Sequence, residues 1–211
     1  MKIAFIGHGH VGGALATRLS NLGHDVVIGA RDPAADSIAA LVARAPKLTA
    51  APLPEAVTSA ELVFLATPYR ANAEVLPPLA ERLAGKVLVD CTNPVGPGLS
   101  HGLDSQTSGS AAVQALVPKA HVVKAFSIYG YENFEDSSFP AYNVKPAMMF
   151  CGDDDGAKAR LATLVAELGF EPLDVGGLVQ ALHLEHMTLL WVRMVRMKGH
   201  SPHMAWAALR R

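Results

Sequence analysis

The chain has 211 residues, half of them hydrophobic, with 18 basic against 19 acidic side chains and a formal net charge of −1. That length suits one compact domain, or a domain with a modest extension, and the near-neutral balance points to no nucleic-acid or membrane-surface partner. Cys91 and Cys151 lie 60 residues apart with no CxxC pair, which fits a reduced, cytoplasmic protein. The first apolar run, about four residues, enters a glycine turn directly, as no signal peptide does. The most apolar long stretch, 178–197, carries His183, Glu185, His186, Arg193 and Arg196, too many polar groups for a membrane span.

Residues 1–32 organise the rest of the chain. The apolar run Ile3–Ile6 leads into G-H-G-H-V-G, with Gly7, Gly9 and Gly12, and then into apolar residues three or four apart at Leu15, Leu19 and Leu22. A strand, a glycine turn and a helix in that order form the context of a dinucleotide-binding fingerprint. Gly7 permits the tight turn, Gly9 lets the backbone approach a pyrophosphate, and Gly12 lets the helix pack closely on the strand. A second strand follows over 25–28 and ends near Ala30-Arg31, and Asp32-Pro33 reads as the N-cap and first position of a helix over 37–44. Further strands are expected at 47–51 (between Pro46 and Pro52), 61–66, 86–90, 121–126, 146–151 and 170–175. Helices are expected at 73–83, 111–117, 153–168, 178–197 and 202–210, and long loops at 96–110 and 129–146. Alternating strands and helices mean an α/β, doubly wound, mainly parallel Rossmann sheet with a small C-terminal helical extension. Residues 1–127 form its dinucleotide-binding core and 128–211 the extension, which faces the second substrate.

The end of the second strand selects the nucleotide. An acid there holds the ribose 2′-hydroxyl of NAD, whereas a nearby arginine pairs with the 2′-phosphate of NADP. Ala30 is small and neutral and Arg31 is a planar guanidinium suited to phosphate, which favours NADP(H); Asp32 is the competing signal.

With these motifs in hand, the chain resembles the deazaflavin-dependent NADP oxidoreductases, the NADPH-dependent reductases of coenzyme F-420, a group itself similar to the cytosolic domain of membrane ferric reductases. The likeness runs through Gly7–Gly12, Ala30-Arg31, Thr67-Pro68-Tyr69, 90–94, 123–126, 151–155, 173–176 and Glu185 with Leu189-Leu190-Trp191. It implies that Gly7, His8, Gly9, His10, Val11 and Gly12 cradle the pyrophosphate and that Arg31, beside Ala30, holds the 2′-phosphate. It further implies that Thr67, Pro68, Asn93, Pro94, Val95 and Ala125 line the nicotinamide end. Two departures stand out: His8 and Ala30 replace residues that often carry hydroxyls in that family, and 177–182 is mostly apolar where archaeal members have a polar stretch ending in arginine. The second substrate is therefore left open between the deazaflavin coenzyme and FMN or FAD.

Hydride transfer between a nicotinamide and a flavin-like ring asks the protein to stack two rings and exclude water, so no catalytic acid–base pair is expected. No strand end is expected to carry a Lys–Glu arrangement; Thr67, Pro68, Asn93, Pro94 and Ser127 are small groups suited to ring edges. A hydroxy-acid dehydrogenase with Lys124 as its catalytic lysine is one alternative, although only 35 residues follow Gly176. A nucleotide-sensing module without turnover is another. His183/His186 and His200/His203 lack a third ligand, and the acids at 153–155 are explained by helix capping, so no metal is expected. The 178–197 helix is apolar nearly all round and is expected to be covered by a second copy in a homodimer.

Overall fold

A computed structural model describes residues 1–45 and 47–211. Eight strands form one sheet in the order β3-β2-β1-β4-β5-β6-β7-β8. The first half comprises β1 (Lys2–Ile6), α1 (His10–Asn21), β2 (Asp25–Ala30), α2 (Asp36–Val42), β3 (Leu48–Pro52), α3 (Leu53–Ser59) and β4 (Leu62–Leu65). The middle holds the short helices α4 (Asn72–Val75) and α5 (Ala80–Leu83), then β5 (Val87–Asp90), α6 (Gly109–Leu116), β6 (His121–Lys124) and α7 (Glu132–Glu135). The last part is β7 (Ala147–Gly152), α8 (Asp155–Glu167), β8 (Glu171–Asp174) and α9 (Ala181–Val192). Six strands run parallel; β7 pairs antiparallel to β6 at Val123↔Gly152, and β8 runs parallel to β7. The strand order reverses between β1 and β4, the switch point where doubly wound sheets open a crevice above their carboxyl ends.

The switch point is closed by glycine contacts. Gly7 lies at φ +102°, and a Cβ there would stand 2.6 Å from the Ala66 carbonyl oxygen. A Cβ on Gly12 would overlap the Gly7 carbonyl oxygen and press to 3.2 Å on the Ala66 methyl. Only glycine permits this approach of α1 to the ends of β1 and β4. Beneath it the core is continuous: Phe5 stacks on Phe64 at 4.6 Å, Phe64 meets Phe126 at 5.8 Å, and Phe126 meets Phe134 at 5.7 Å. Arg18 then ties α1 to the later half, donating to the carbonyls of Phe134 (3.2 Å) and Leu168 (2.7 Å).

Several elements differ from the sequence expectation. Asp32 is not an N-cap: its Oδ1 accepts from the Ala34 amide at 3.0 Å in a turn, and α2 begins at Asp36 after Ala35. The helix expected over 73–83 is broken into α4 and α5 by a 3₁₀ turn at Pro77–Leu79, because Pro77 and Pro78 carry no amide hydrogen. The tail 202–210 is not helical; the Ala147 amide donates to the Trp206 carbonyl at 2.8 Å, so the tail runs beside β7. The Pro46 boundary of β3 lies outside the described residues. Asp154 does cap α8 through the Ala157 amide (2.7 Å), while Asp153 accepts from the Leu178 amide (2.7 Å). In α9 one stripe is buried, Ala181, Leu184, Glu185, Thr188 and Trp191, while Leu190 on the other side is 52% exposed.

The glycine contacts yield a contrast. Gly12→Ala should lower stability by about 3 kcal/mol or abolish folding, since the clash is with backbone. Gly9→Ala, with open space at its Cβ, should stay within about 0.5 kcal/mol of wild type. Urea denaturation followed by circular dichroism measures both.

Candidate active site

The turn after β1 presents an unusually bare helix end. Gly9 is the N-cap of α1 and, among the described residues, no side chain caps that end and no acid lies in its first turn. Its amides and positive dipole end therefore face outward unneutralised, the condition for holding an anion. A Cβ on Gly9 would meet nothing within 4 Å, so this side of the turn is open. His8 and His10 are exposed on either side of Gly9: His8 Nε2 lies 3.4 Å from Ser37 Oγ, and the His10 ring stacks on Tyr131 at 4.5 Å. Val11 is half-buried and packs on the core. A cleft of about 240 Å³ opens beside the turn between His8, Ser37, Leu41 and Arg44. Ala30 is turned into the core, and Arg31 stands exposed beyond it with no hydrogen bond or ion pair among the described residues.

The remaining predicted positions follow the carboxyl ends of β4, β5 and β6, and a hydrogen-bond chain joins them. Thr67 Oγ1 donates to Asn72 Oδ1 (2.8 Å), Asn72 Nδ2 to Thr92 Oγ1 (3.1 Å), and Thr92 Oγ1 to Asp90 Oδ1 (2.7 Å). Thr188 of α9 brings its hydroxyl to 3.1 Å from Asn93 Oδ1 and 2.9 Å from the Ser127 carbonyl. The Ala125 amide donates to the Asp90 carbonyl at 3.2 Å, and Ala125 is fully buried. Pro68 and Val95 are exposed at the rim; Pro94 is buried, and its carbonyl accepts from the Gly102 amide at 2.6 Å. Phe126, at φ +51°, bends the chain sharply after β6. The next side chain, Ser127, is buried with its hydroxyl unpartnered among the described residues.

Sequence reasoning missed the polar group under these ends, in which Lys124 at the end of β6 meets Glu185 of α9. Lys124 is fully buried, with Nζ 3.4 Å from Glu185 Oε1 and 3.7 Å from Asp90 Oδ2, and it donates to the Thr92 carbonyl. Ser110 Oγ donates to Asp90 Oδ2 at 2.6 Å, the Gly109 amide to Glu185 at 3.0 Å, and His101 Nε2 meets Glu185 at 2.8 Å. One signal was available: Glu185 falls on the α9 stripe that otherwise carries its buried positions, where a lone acid must find buried partners. Lys124, at 0% exposure, cannot reach a substrate carbonyl, which removes it as the catalytic lysine of a hydroxy-acid dehydrogenase.

Fold and site together define a dinucleotide-binding oxidoreductase of the doubly wound α/β class. Residues 2–94 match the family described as NADP oxidoreductase, coenzyme F420-dependent. The chain is 30% identical over 209 residues to the F420-dependent NADP reductase of Methanothermobacter marburgensis, covering 92% of each protein. A solved structure of a candidate F420-dependent NADP reductase from Arthrobacter sp. FB24 superposes over the full length of both chains with a TM-score of 0.89 at 30% identity. The metalloreductase STEAP3 of Rattus norvegicus is 32% identical over 188 residues; these cover 89% of this chain, which spans only 36% of that relative. The chain belongs to the coenzyme F420-dependent NADP oxidoreductase family, whose members are NADP-dependent oxidoreductases. Among the described residues no helix is long and apolar enough to cross a membrane.

Burial makes both thiols inert. It pushes the Cys151 thiol up to about 12 and raises Cys91 further, with Asp90 adding to the effect there. A thiol above the working pH stays protonated and is a poor nucleophile. Neither cysteine should react with a disulfide reagent at pH 8 until the protein is denatured, when two equivalents should appear by absorbance.

Proposed function

We propose that the protein transfers hydride between NADP(H) and a flavin-like acceptor, either the deazaflavin coenzyme F420 or a flavin. The observation that carries the reading is the pairing of an open, uncapped α1 N-terminus at Gly9 with a free guanidinium at Arg31. These residues fit a dinucleotide phosphate at each end: backbone amides for the pyrophosphate, and two parallel N–H groups for the 2′-phosphate. Because Ala30 is buried and His8 is not a hydroxyl residue, Arg31 bears most of the 2′-phosphate recognition. Thr67, Pro68, Asn93, Pro94, Val95 and Ala125 frame the nicotinamide end, held by the hydrogen bonds through Asn72, Thr92 and Thr188.

When bound, the two rings supply the hydride chemistry between them. The chain's own groups position and shield. Asn93 and Thr67 are fixed by their partners, so the ring edges they face meet a rigid frame. The acceptor side is assigned to the cavity of about 410 Å³ between Leu99, His101, Ser105 and His186, Leu189, Arg193. Its apolar and basic lining suits a planar ring bearing anionic groups. A second copy is proposed to cover Met197, which is 63% exposed, and light scattering at micromolar concentration would report a monomer if it does not. The proposed setting is the cytoplasm, with a small-molecule redox partner.

The decisive assay follows NADPH oxidation at 340 nm against deazaflavin, FMN, FAD, riboflavin and quinone acceptors. Turnover with a flavin-type acceptor is expected; tight NADPH binding with no turnover across the set would refute the reading. Arg31→Glu should weaken NADPH at least tenfold, about 1.4 kcal/mol, while sparing NADH. Equal losses for both nucleotides would remove the 2′-phosphate role.

A further inference from the structure

Four ionisable side chains that hydride transfer does not use lie together under the strand ends: Asp90, Lys124, Glu185 and His101 are all at least nine-tenths buried. Their charge states follow from their partners. Asp90 Oδ1 accepts from the Thr92 amide (2.9 Å) and hydroxyl (2.7 Å), and Oδ2 from the Ser110 hydroxyl (2.6 Å). Glu185 accepts from the amides of Gly109 (3.0 Å) and Ser110 (3.3 Å) and from His101 Nε2 (2.8 Å). Both carboxyls lie against Lys124 Nζ, 3.7 Å from Asp90 Oδ2 and 3.4 Å from Glu185 Oε1, and backbone amides donate to each, the surroundings of two carboxylates around one ammonium. His101 Nδ1 accepts from the amides of Leu103 (3.3 Å) and Ser105 (3.2 Å), which places its single proton on Nε2 and leaves the ring neutral.

Two carboxylates against one ammonium leave one negative charge where water cannot screen it. The Tyr69 hydroxyl is held above its ordinary range by burial, then by Glu185 and by Asp90. Tyr69 belongs to the same rim: a Cβ on Gly109 would stand 2.8 Å from its ring and 3.2 Å from Glu185 Oε1. The charge is also coupled to the frame, since Asp90 ends the hydrogen-bond chain that begins at Thr67.

We propose that this buried negative charge sets the redox preference of the nicotinamide site, favouring the cationic oxidised ring over the neutral reduced one. Asp90 and Glu185 are then specificity-determining residues that make bound NADPH a stronger hydride donor without touching it. The inference rests on the nicotinamide lying at the ends of β4, β5 and β6, as proposed above.

The test is the ratio of dissociation constants for NADP⁺ and NADPH, from NADPH fluorescence and its displacement by NADP⁺ on the purified full chain. Asp90→Asn keeps the shape and removes the charge, because the Ser110 hydroxyl can rotate to accept; it should weaken NADP⁺ relative to NADPH about fivefold. Glu185→Gln should move the ratio the same way and replaces Asp90→Asn if that variant does not fold. Ser110→Ala removes a hydrogen bond to Asp90 without changing charge, and should leave the ratio within twofold. Unchanged ratios in folded Asp90→Asn and Glu185→Gln would overturn the inference while leaving the cofactor assignment intact. An equal shift in Ser110→Ala would overturn it in favour of a purely structural effect. A wild-type chain that binds neither nucleotide would sink both this inference and the function it rests on.

Discussion

Everything at the carboxyl edge of the sheet depends on how closely α1 can approach the ends of β1 and β4. That distance is set by an absence of side chains: at Gly7 and Gly12 a Cβ would run into the backbone of Ala66 and of Gly7 itself. The contact aims the bare end of α1 into the crevice and positions Thr67 directly after it. Gly9 plays the opposite part, keeping a surface open rather than a contact tight. One short motif thus combines two tight contacts that shape the turn with one face left open to solvent.

The other end of the site is organised by polar burial. Asp90 and Lys124 are the last residues of β5 and β6, and Glu185 comes from α9, far along the chain. Taking three charges out of water is costly unless each is paired and hydrogen-bonded, and removing one partner of such a set leaves the others stranded. Here the amides opening α6, two hydroxyls and one imidazole complete the set. The result fastens α6, α9 and the loop bearing His101 to the sheet. It also means that the frame around Thr67, Thr92 and Asn93 inherits its rigidity from charges buried below it.

Kinship with the coenzyme F420-dependent NADP oxidoreductases extends past the first half of the chain into its later strands and helices. His8 precedes the uncapped N-terminus of α1, Ala30 is buried at the end of β2, and α9 begins within the apolar stretch at 177–182. Beyond residue 124 the sheet gains the β7–β8 pair, antiparallel to the rest, and a tail laid along β7 through Trp206. The exposed apolar residues of α9 lie on this later half, on the side away from its buried stripe.

Local chemistry made much of this readable in the chain itself. Apolar runs bounded by glycine and proline identified the strands, and the spacing of Gly7, Gly9 and Gly12 identified the turn between β1 and α1, because such signals act over a few residues. Where competing local signals had similar strength, reading by residue type failed: Asp32-Pro33 formed a turn before the helix, and the prolines at 77 and 78 cut a helix that periodicity favoured. The Asp90–Lys124–Glu185–His101 group was out of reach of sequence reasoning for a different reason. Its members come from four elements up to 95 residues apart, and a lysine at a strand end looks the same in sequence whether it faces water or a buried carboxylate. Only the packing of α9 against α6 and β7, which brings Glu185 to Lys124, decides that, since burial creates both the cost of the charges and the pairing that offsets it.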